Sequence, residues 1–236
     1  KADVAAVLAK LVDKLPGKAE RLSLFQPALR PMMRTVALEM DAPQTIIQAF
    51  GPTTVERGLD ATKASMAVQR MGGGAQGRLH AALRDRLGAT YGAQMSAVDH
   101  ARTAHSVLIS TAVEHSKAAE AIAAIRQEYR RWWNEGVTEA EFSAIRSAML
   151  GNRQSARAQP GAVASTLVHA QANGLPADYF KAYDTSLEAI TREDVNAYIK
   201  AHFPQVLGFV IVGPSAAGLG ADCTIKRLDD AGACGL

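Results

Sequence analysis

The amino-acid sequence predicts an α+β fold in which helices pack on one face of an antiparallel sheet. Short runs with the alternating pattern of strands occur early, in the middle and near the end of the chain. Longer segments between them repeat apolar residues at helical spacing. Strands and helices therefore come in separate groups, an order that is typical of α+β domains and not of strictly alternating parallel sheets.

The strand-like segments differ in what surrounds them. The first two flank a turn at Asp41-Ala42-Pro43, and the third and fourth alternate well enough for an antiparallel pair. The last is a continuous apolar run, Leu-Gly-Phe-Val-Ile-Val, which indicates a buried strand before Gly213-Pro214. The predicted strands are residues 34–40, 44–50, 90–98, 106–113 and 207–212.

Apolar periodicity and stop signals place the helices. Gly88 and Gly136 each follow a helical segment and end it, and Thr138-x-x-Glu141 is a capping box that opens the next helix. The predicted helices are residues 3–15, 59–71, 77–87, about 115–135, a helix from Thr138, and then 160–173, 177–190 and 191–201. We expect three parts: a helix and linker over 1–31, an α+β domain over 32–214 and a small-residue tail over 215–236.

Composition excludes several classes of protein. Hydrophobic residues make up 48% of the 236 residues and charged residues 21%, which is typical of a globular chain. The net charge is only +3, without a block of like charges, so nucleic acid is not an expected partner. The apolar runs are too short to predict a membrane span. The chain begins at Lys1, and we therefore expect a processed chain or a fragment.

The sequence has two cysteines, Cys223 and Cys234, both in the small-residue tail. Two cysteines make neither a disulfide framework nor a metal knuckle. They can pair in an oxidising compartment or remain as two separate thiols, and the sequence leaves both possibilities open.

A glycine-rich segment, Gly72-Gly73-Gly74-Ala75-Gln76-Gly77, matches the G-x-G-x-x-G pattern of dinucleotide sites. Such a site needs a strand before the glycines, and here a helix precedes them. An NAD-binding enzyme is therefore an alternative that rests on this motif alone. The interpretation that we favour is a glycine break between two helices, with Gly72, Gly73 and Gly74 as a hinge or as a path for an extended peptide.

Two further patterns are candidate sites. The six histidines include no H-E-x-x-H or H-x-x-E-H pair, so we expect this chain to bind no metal or other cofactor. Trp132-Trp133 beside Arg130 and Arg131 could stack on bases, but the end of an amphipathic helix predicts one core tryptophan and one partly exposed one.

The strongest local feature is the pair Arg84 and Tyr91. Arg84 falls in the last turn of a predicted helix, Tyr91 opens a predicted strand, and Gly88 lets the chain turn between them. A guanidinium and a phenol that converge on one spot can donate hydrogen bonds to a peptide carbonyl oxygen. The alternative is structural, because helix ends favour arginine and strands favour tyrosine.

Five segments stand out in collinear order: Met71-Gly-Gly-Gly-x-x-Gly-Arg78-Leu79, Leu83-Arg84-Asp85-x5-Tyr91-Gly92, Asn134-Glu-Gly-Val-Thr138-Glu-Ala-Glu141-Phe142, Ile190-Thr-Arg-Glu-Asp194-Val195 and Phe209-Val-Ile-Val-Gly213. Together they resemble the second half of the insulinase/pitrilysin-type zinc peptidases, the inverzincins. The resemblance runs from about Arg34 to Pro214. One departure is Gly77 in Gly77-Arg78-Leu79, where the family has serine, which puts a serine helix cap in doubt.

The resemblance implies the metallohydrolase half-unit fold and an inactive domain without zinc ligands of its own. It implies that Arg84 and Tyr91 hold a peptide substrate, and that the zinc belongs to a partner unit with the H-x-x-E-H motif, on the same polypeptide or a separate subunit. The chain alone is then inactive. The alternative is a catalytically silent structural or binding relative. We expect a periplasmic or otherwise exported protein, with a cytoplasmic one as the alternative.

Overall fold

Six strands form one mixed sheet in this computed structural model, in the spatial order β3-β4-β2-β5-β1-β6. The structure describes residues 34–54, 61–101, 104–172, 174–175 and 178–235, together with positions 6, 9–10 and 13–14. The predicted helix at 3–15, apart from those positions, and the linker after it lie outside the described residues. The strands are β1 (Thr35–Glu39), β2 (Thr45–Thr53), β3 (Ala93–Ala101), β4 (Ala104–Val113), β5 (Gly208–Gly213) and β6 (Cys223–Ile225).

The helices follow the predicted boundaries closely. The second helix of the described part begins as a short α-helix, Arg78–His80, and continues as a π-helical turn, Ala81–Arg86. The two together are called α2. None of the helices in the described part of the chain is long and apolar enough to cross a membrane. The others are α1 (Ala61–Gly72), α3 (Ala118–Glu135), α4 (Glu139–Arg157), α5 (Pro160–Ala172), α6 (Tyr179–Ala189) and α7 (Arg192–His202).

The α+β class is confirmed, but the sheet is not antiparallel throughout. β2 pairs antiparallel with β4 and β5, and β3 with β4, whereas β1 runs parallel to β5 and to β6. β1 and β2 are consecutive in sequence, yet β5 lies between them. The reason lies in β5, whose apolar residues suit a central position where both sides of the strand are paired.

One face of the sheet carries the helices and the main core. Side chains from alternate strand positions, such as Ile47, Ile109 and Ile211, are fully buried against helix residues that include Trp132. The opposite face is more open in the middle of the sheet: Ile46 and Gln48 of β2 are exposed. Near β1 a second, smaller cluster covers that face, formed by Val36, Leu38, Ile225 and Cys234.

The segment that the sequence assigned to a small-residue tail takes part in this structure. β6 extends the sheet beyond β1, and a 3-10 segment, Leu228–Cys234, follows it. Cys223 and Cys234 form a disulfide, which answers the question that the sequence left open. The division of the chain into three parts remains a prediction.

Candidate functional site

A groove of about 870 Å³ lies at the β3 edge of the sheet, where β3 and β4 meet the ends of α1 and α2. The residues that the sequence predicts to hold a peptide or to form a hinge or peptide path are on its wall: Gly72, Gly73, Gly74, Arg84 and Tyr91. The other lining residues come from the same elements and from β2, and none of them is acidic: Ile46, Ala75, His80, Gly92, Ala93, Gln94, Met95, Ser110, Thr111 and Ala112.

Arg84 reaches the groove from the π-helical turn of α2. The turn ends at Gly88, whose φ of +59° is accessible to glycine and strained for most other residues. Nη1 of Arg84 is 3.4 Å from Nε2 of His80, one helical turn earlier, and 3.5 Å from the carbonyl oxygen of Tyr91. The structure thus brings Arg84 and Tyr91 together, through the main chain of Tyr91.

Tyr91 presents its side chain to solvent on a fixed backbone. The side chain is 89% exposed. On either side of it the chain is held by hydroxyl groups: the Gly92 amide donates to Thr90 Oγ1 at 3.1 Å, and Thr111 Oγ1 donates to the Gly92 carbonyl oxygen at 2.9 Å. The backbone on either side of Tyr91 is therefore held at the groove, and the exposed phenol can contact a ligand there.

The three glycines have steric reasons to be glycine. A Cβ on Gly72 would lie 2.0 Å from the main-chain nitrogen of Met95, because the end of α1 rests directly on β3. A Cβ on Gly73 would lie 2.3 Å from the carbonyl oxygen of Gln69, and Gly74 has a φ of +75°. These contacts explain the residue type, and a role as hinge or peptide path remains a prediction.

The glycine motif does not have the surroundings of a dinucleotide site. α1 precedes it, and a 3-10 turn, Gly74–Gln76, and then α2 follow. The strand–turn–helix unit that would place a pyrophosphate at a helix N-terminus is therefore not formed. Gly77 caps α2 without a side-chain hydrogen bond, as expected from the missing serine.

Sequence reasoning missed His80. Its side chain is only 11% exposed, and it lines the groove beside Arg84. Within the described residues its Nδ1 has no hydrogen-bond partner; Oδ2 of Asp85 lies 3.6 Å away. The spacing of four residues between His80 and Arg84 on one helix was the available signal, since such pairs share a face.

The other sequence candidates are structural. Trp132 is fully buried and donates to the Ala67 carbonyl oxygen at 3.2 Å, while Trp133 is partly buried and donates to the Phe203 carbonyl oxygen at 3.1 Å. The prediction of one core and one partly exposed tryptophan is confirmed. Among the described residues, histidine, cysteine, aspartate and glutamate form no group of three that could hold a metal ion.

Comparison with known proteins adds a family match. A family model described as the peptidase M16 inactive domain matches residues 2–149. No curated protein matches the sequence. Among solved structures, the peptidase M16 inactive domain from Pseudomonas fluorescens is 19% identical with a TM-score of 0.79, and the match covers 91% of this chain and 51% of that chain.

Two further structures share the fold. The periplasmic protease PqqL from Escherichia coli is 14% identical with a TM-score of 0.68, covering 91% of this chain and 24% of that one. The inactive peptidase domain of a protein from Bordetella parapertussis is 16% identical with a TM-score of 0.62, covering 76% of this chain and 98% of that one. This chain therefore covers nearly all of the Bordetella parapertussis chain and about half the length of the Pseudomonas fluorescens chain.

Proposed function

This chain belongs to the peptidase M16 inactive-domain family, and on that premise we propose that it is the substrate-holding half of a zinc metallopeptidase. In this proposal a second unit with the H-x-x-E-H motif binds the zinc and cleaves extended peptides. Zinc bound there would polarise the scissile carbonyl group. The role of this chain is to bind and orient the peptide.

One observation carries the proposal: Arg84, Tyr91 and the three glycines, which are spread over 20 positions of the sequence, line one groove. The groove is also bounded by Ile46, Ser110 and Ala112, and among the described residues Ile46 of β2 is exposed on the face opposite the main core. A partner unit can therefore approach this face. Matches that cover about half of a longer chain support the existence of a second unit of similar size.

The chemistry of the two side chains suits a peptide backbone. A guanidinium has five N–H donors in a planar fork, and a phenol adds one donor that can rotate. Tyr91 is 89% exposed, so binding does not require an internal contact of its side chain to break. Together the two side chains can hold a peptide carbonyl oxygen in one orientation, which lowers the entropic cost of reaching the reactive geometry.

Substitution of the pair tests the proposal. In the full-length protein with its zinc-bearing unit, Arg84→Ala or Tyr91→Phe should lower peptide cleavage about 10- to 1000-fold, the range for loss of one oriented donor. The melting temperature should change little, because both side chains are exposed and Arg84 forms no ion pair within the described residues. Cleavage rates and thermal unfolding are to be measured on the same preparations.

The control is Arg131→Ala. Arg131 lies on α3, away from the groove, and its exposed pair with Glu135 contributes little to stability. Arg86, two residues from Arg84, is unsuitable, because its Nη2 is 2.5 Å from Oε1 of the buried Glu128 and its loss would leave that carboxylate unpaired. Equal cleavage by the Arg84→Ala and Arg131→Ala variants would contradict the proposal and favour a catalytically silent structural relative.

We also propose that the protein is exported, to the periplasm or another oxidising compartment. The disulfide between Cys223 and Cys234 supports this location, because such bonds persist in oxidising compartments and are rare in the cytosol. A structural relative described as periplasmic points the same way. Thiol alkylation of protein taken directly from cells tests it: two free thiols in freshly extracted protein would contradict export.

A further inference from the structure

Arg84 differs from most arginines that the structure describes, because it has no carboxylate partner among the described residues. Among the described residues, eight others contact an aspartate or a glutamate side chain: Arg70, Arg78, Arg86, Arg131, Arg153, Arg157, Arg192 and Arg227. Arg84 contacts only two neutral acceptors, the His80 imidazole and the Tyr91 carbonyl oxygen. Its positive charge is therefore not neutralised within the described part of the chain.

The groove supplies no negative charge either. Among the described residues that form its wall, Arg84 is the only charged one, if histidine is counted as neutral, and none is an aspartate or a glutamate. Asp85 is adjacent in sequence, but it lies outside the groove wall, is 59% exposed and approaches the Nδ1 side of His80. A ligand in the groove therefore meets a cation without a counter-charge.

The free edge of the guanidinium has the geometry for a carboxylate. Both contacts of Arg84 use Nη1, so within the described residues Nε and Nη2 have no partner. These two nitrogens lie side by side and can donate two parallel hydrogen bonds to the two oxygens of one carboxylate. His80, which is nearly buried, contacts Nη1 and limits how far the fork can rotate.

We propose that this groove selects peptide segments that carry a carboxylate at the position bound against Arg84. The inference rests on the proposed function, which assigns peptide binding to this groove, and it adds the substrate class. The carboxylate can come from an aspartate or glutamate side chain or from a free C-terminus. Both sources present the same pair of oxygens to Nε and Nη2.

Four fluorescein-labelled decapeptides of one alanine- and serine-rich sequence separate the two sources. Two of them contain a central asparagine, and one of these ends in a free carboxylate and the other in an amide. The remaining two end in an amide, and one of these contains a central aspartate and the other a central glutamate. Binding to the full chain is measured by fluorescence anisotropy. At least one carboxylate peptide should bind about 5- to 30-fold more tightly than the amide–asparagine peptide, as expected for a charge-assisted pair at a partly solvated site.

Arg84→Gln should remove that preference. Arg84→Lys should keep part of it, because lysine retains the charge without the planar fork. Arg131→Ala should leave it unchanged. Four peptides that bind the wild type equally, with all four weakened by Arg84→Gln, would overturn the carboxylate preference and leave the peptide-holding function standing. Binding that Arg84→Gln does not alter for any peptide, or no binding at all, would contradict both.

Discussion

The Glu141 side chain connects three helices of this fold. Its carboxylate accepts two hydrogen bonds from the nearly buried Arg78, at 3.0 and 2.7 Å, and forms an ion pair with Arg70 at 2.7 Å. It also accepts from the Thr138 amide at 2.8 Å, which completes the predicted capping box of α4. One residue therefore ties α1, α2 and α4 together. The segment Gly77-Arg78-Leu79 therefore supplies a structural contact, through Arg78, that does not involve the groove.

The first residue-scale prediction concerns pH. Burial raises the pKa of Glu141, but the hydrogen bonds from Arg78 and Thr138 and the contact with Arg70 outweigh it and hold the pKa at about 2, below the ordinary 4.5. A lowered pKa means stability that is present above about pH 4.5 and is lost as the pH falls through 2, up to about 3 kcal/mol. Denaturant unfolding between pH 6 and 2 measures it.

In Glu141→Gln this part of the pH dependence should disappear, so that the free energy of unfolding changes less between pH 5 and 2 than in the wild type. The variant should also be less stable at neutral pH, because Arg78 loses its buried partner. Glu139→Gln removes an exposed carboxylate two residues away and should keep the wild-type dependence. A Glu141→Gln curve parallel to that of the wild type would refute the assignment.

At the scale of elements, the packing of α1 on β3 decides the shape of the groove. α1 ends at Gly72, directly against the backbone of Met95, so strand and helix are closer than any side chain would allow. Gly74, two residues on, has open space around its Cβ position and a φ of +75°. The two glycines are thus required for different reasons, one for close packing and one for backbone conformation.

Alanine at each position should distinguish these reasons. Gly72→Ala must displace β3 or the end of α1, and we expect a loss of about 2–4 kcal/mol in unfolding free energy, with a weaker effect of Arg84 on peptide binding because the groove changes shape. Gly74→Ala should cost only about 1 kcal/mol, from its left-handed backbone, and should leave the groove intact. Denaturant titration and the same binding assay check both. If the order of stabilities were reversed, the close approach would not be the reason for Gly72.

How far the sequence predicts these elements depends on how local each signal is. Alternation and glycine stops are local, so β2, β3 and β4 and the helices were placed within a few residues. The capping box at Thr138 was found because it needs only four residues. The insertion of β5 between β1 and β2 was not predicted, because strand order depends on contacts between distant segments. β6 was missed because three residues are too few to show a pattern.

Some features of the groove were likewise predicted from the sequence, and others were not. The convergence of Arg84 and Tyr91 on one groove was predicted from the short helix–glycine–strand connection. His80 was not predicted, because its spacing of four residues from Arg84 indicates a shared helix face but does not show that this histidine is nearly buried. The π-helical turn that carries Arg84 was not foreseen either. Such turns occur often at functional sites, and this one lies where the site was expected.

At the scale of the whole molecule, the two edges of the sheet carry different features. The groove lies at the β3 edge, and the disulfide starts in β6 itself, at the opposite edge of the sheet. β6 pairs with β1 through only three residues. Cys234 packs with Val36, Leu38 and Ile225 in the small cluster on the face opposite the helices. Such a short edge strand depends on covalent and apolar support, because a few ladder hydrogen bonds alone would not hold it.

The whole-molecule prediction is that loss of the disulfide loosens β6 and leaves the groove unchanged. The bond joins residues 11 apart, and the entropy of closing a loop of this size corresponds to about 2–3 kcal/mol. In the double variant Cys223→Ser/Cys234→Ser, amide hydrogen exchange should accelerate at β6 and at the β1 residues that pair with it, while β2 and β4 keep their protection. Peptide affinity should stay at the wild-type value, because the groove is at the other edge.

A reducing agent should reproduce the exchange pattern in the wild type and change nothing in the variant. Faster exchange across all strands would show instead that the bond stabilises the entire sheet, and unchanged exchange at β6 would show that the apolar cluster holds the strand without it.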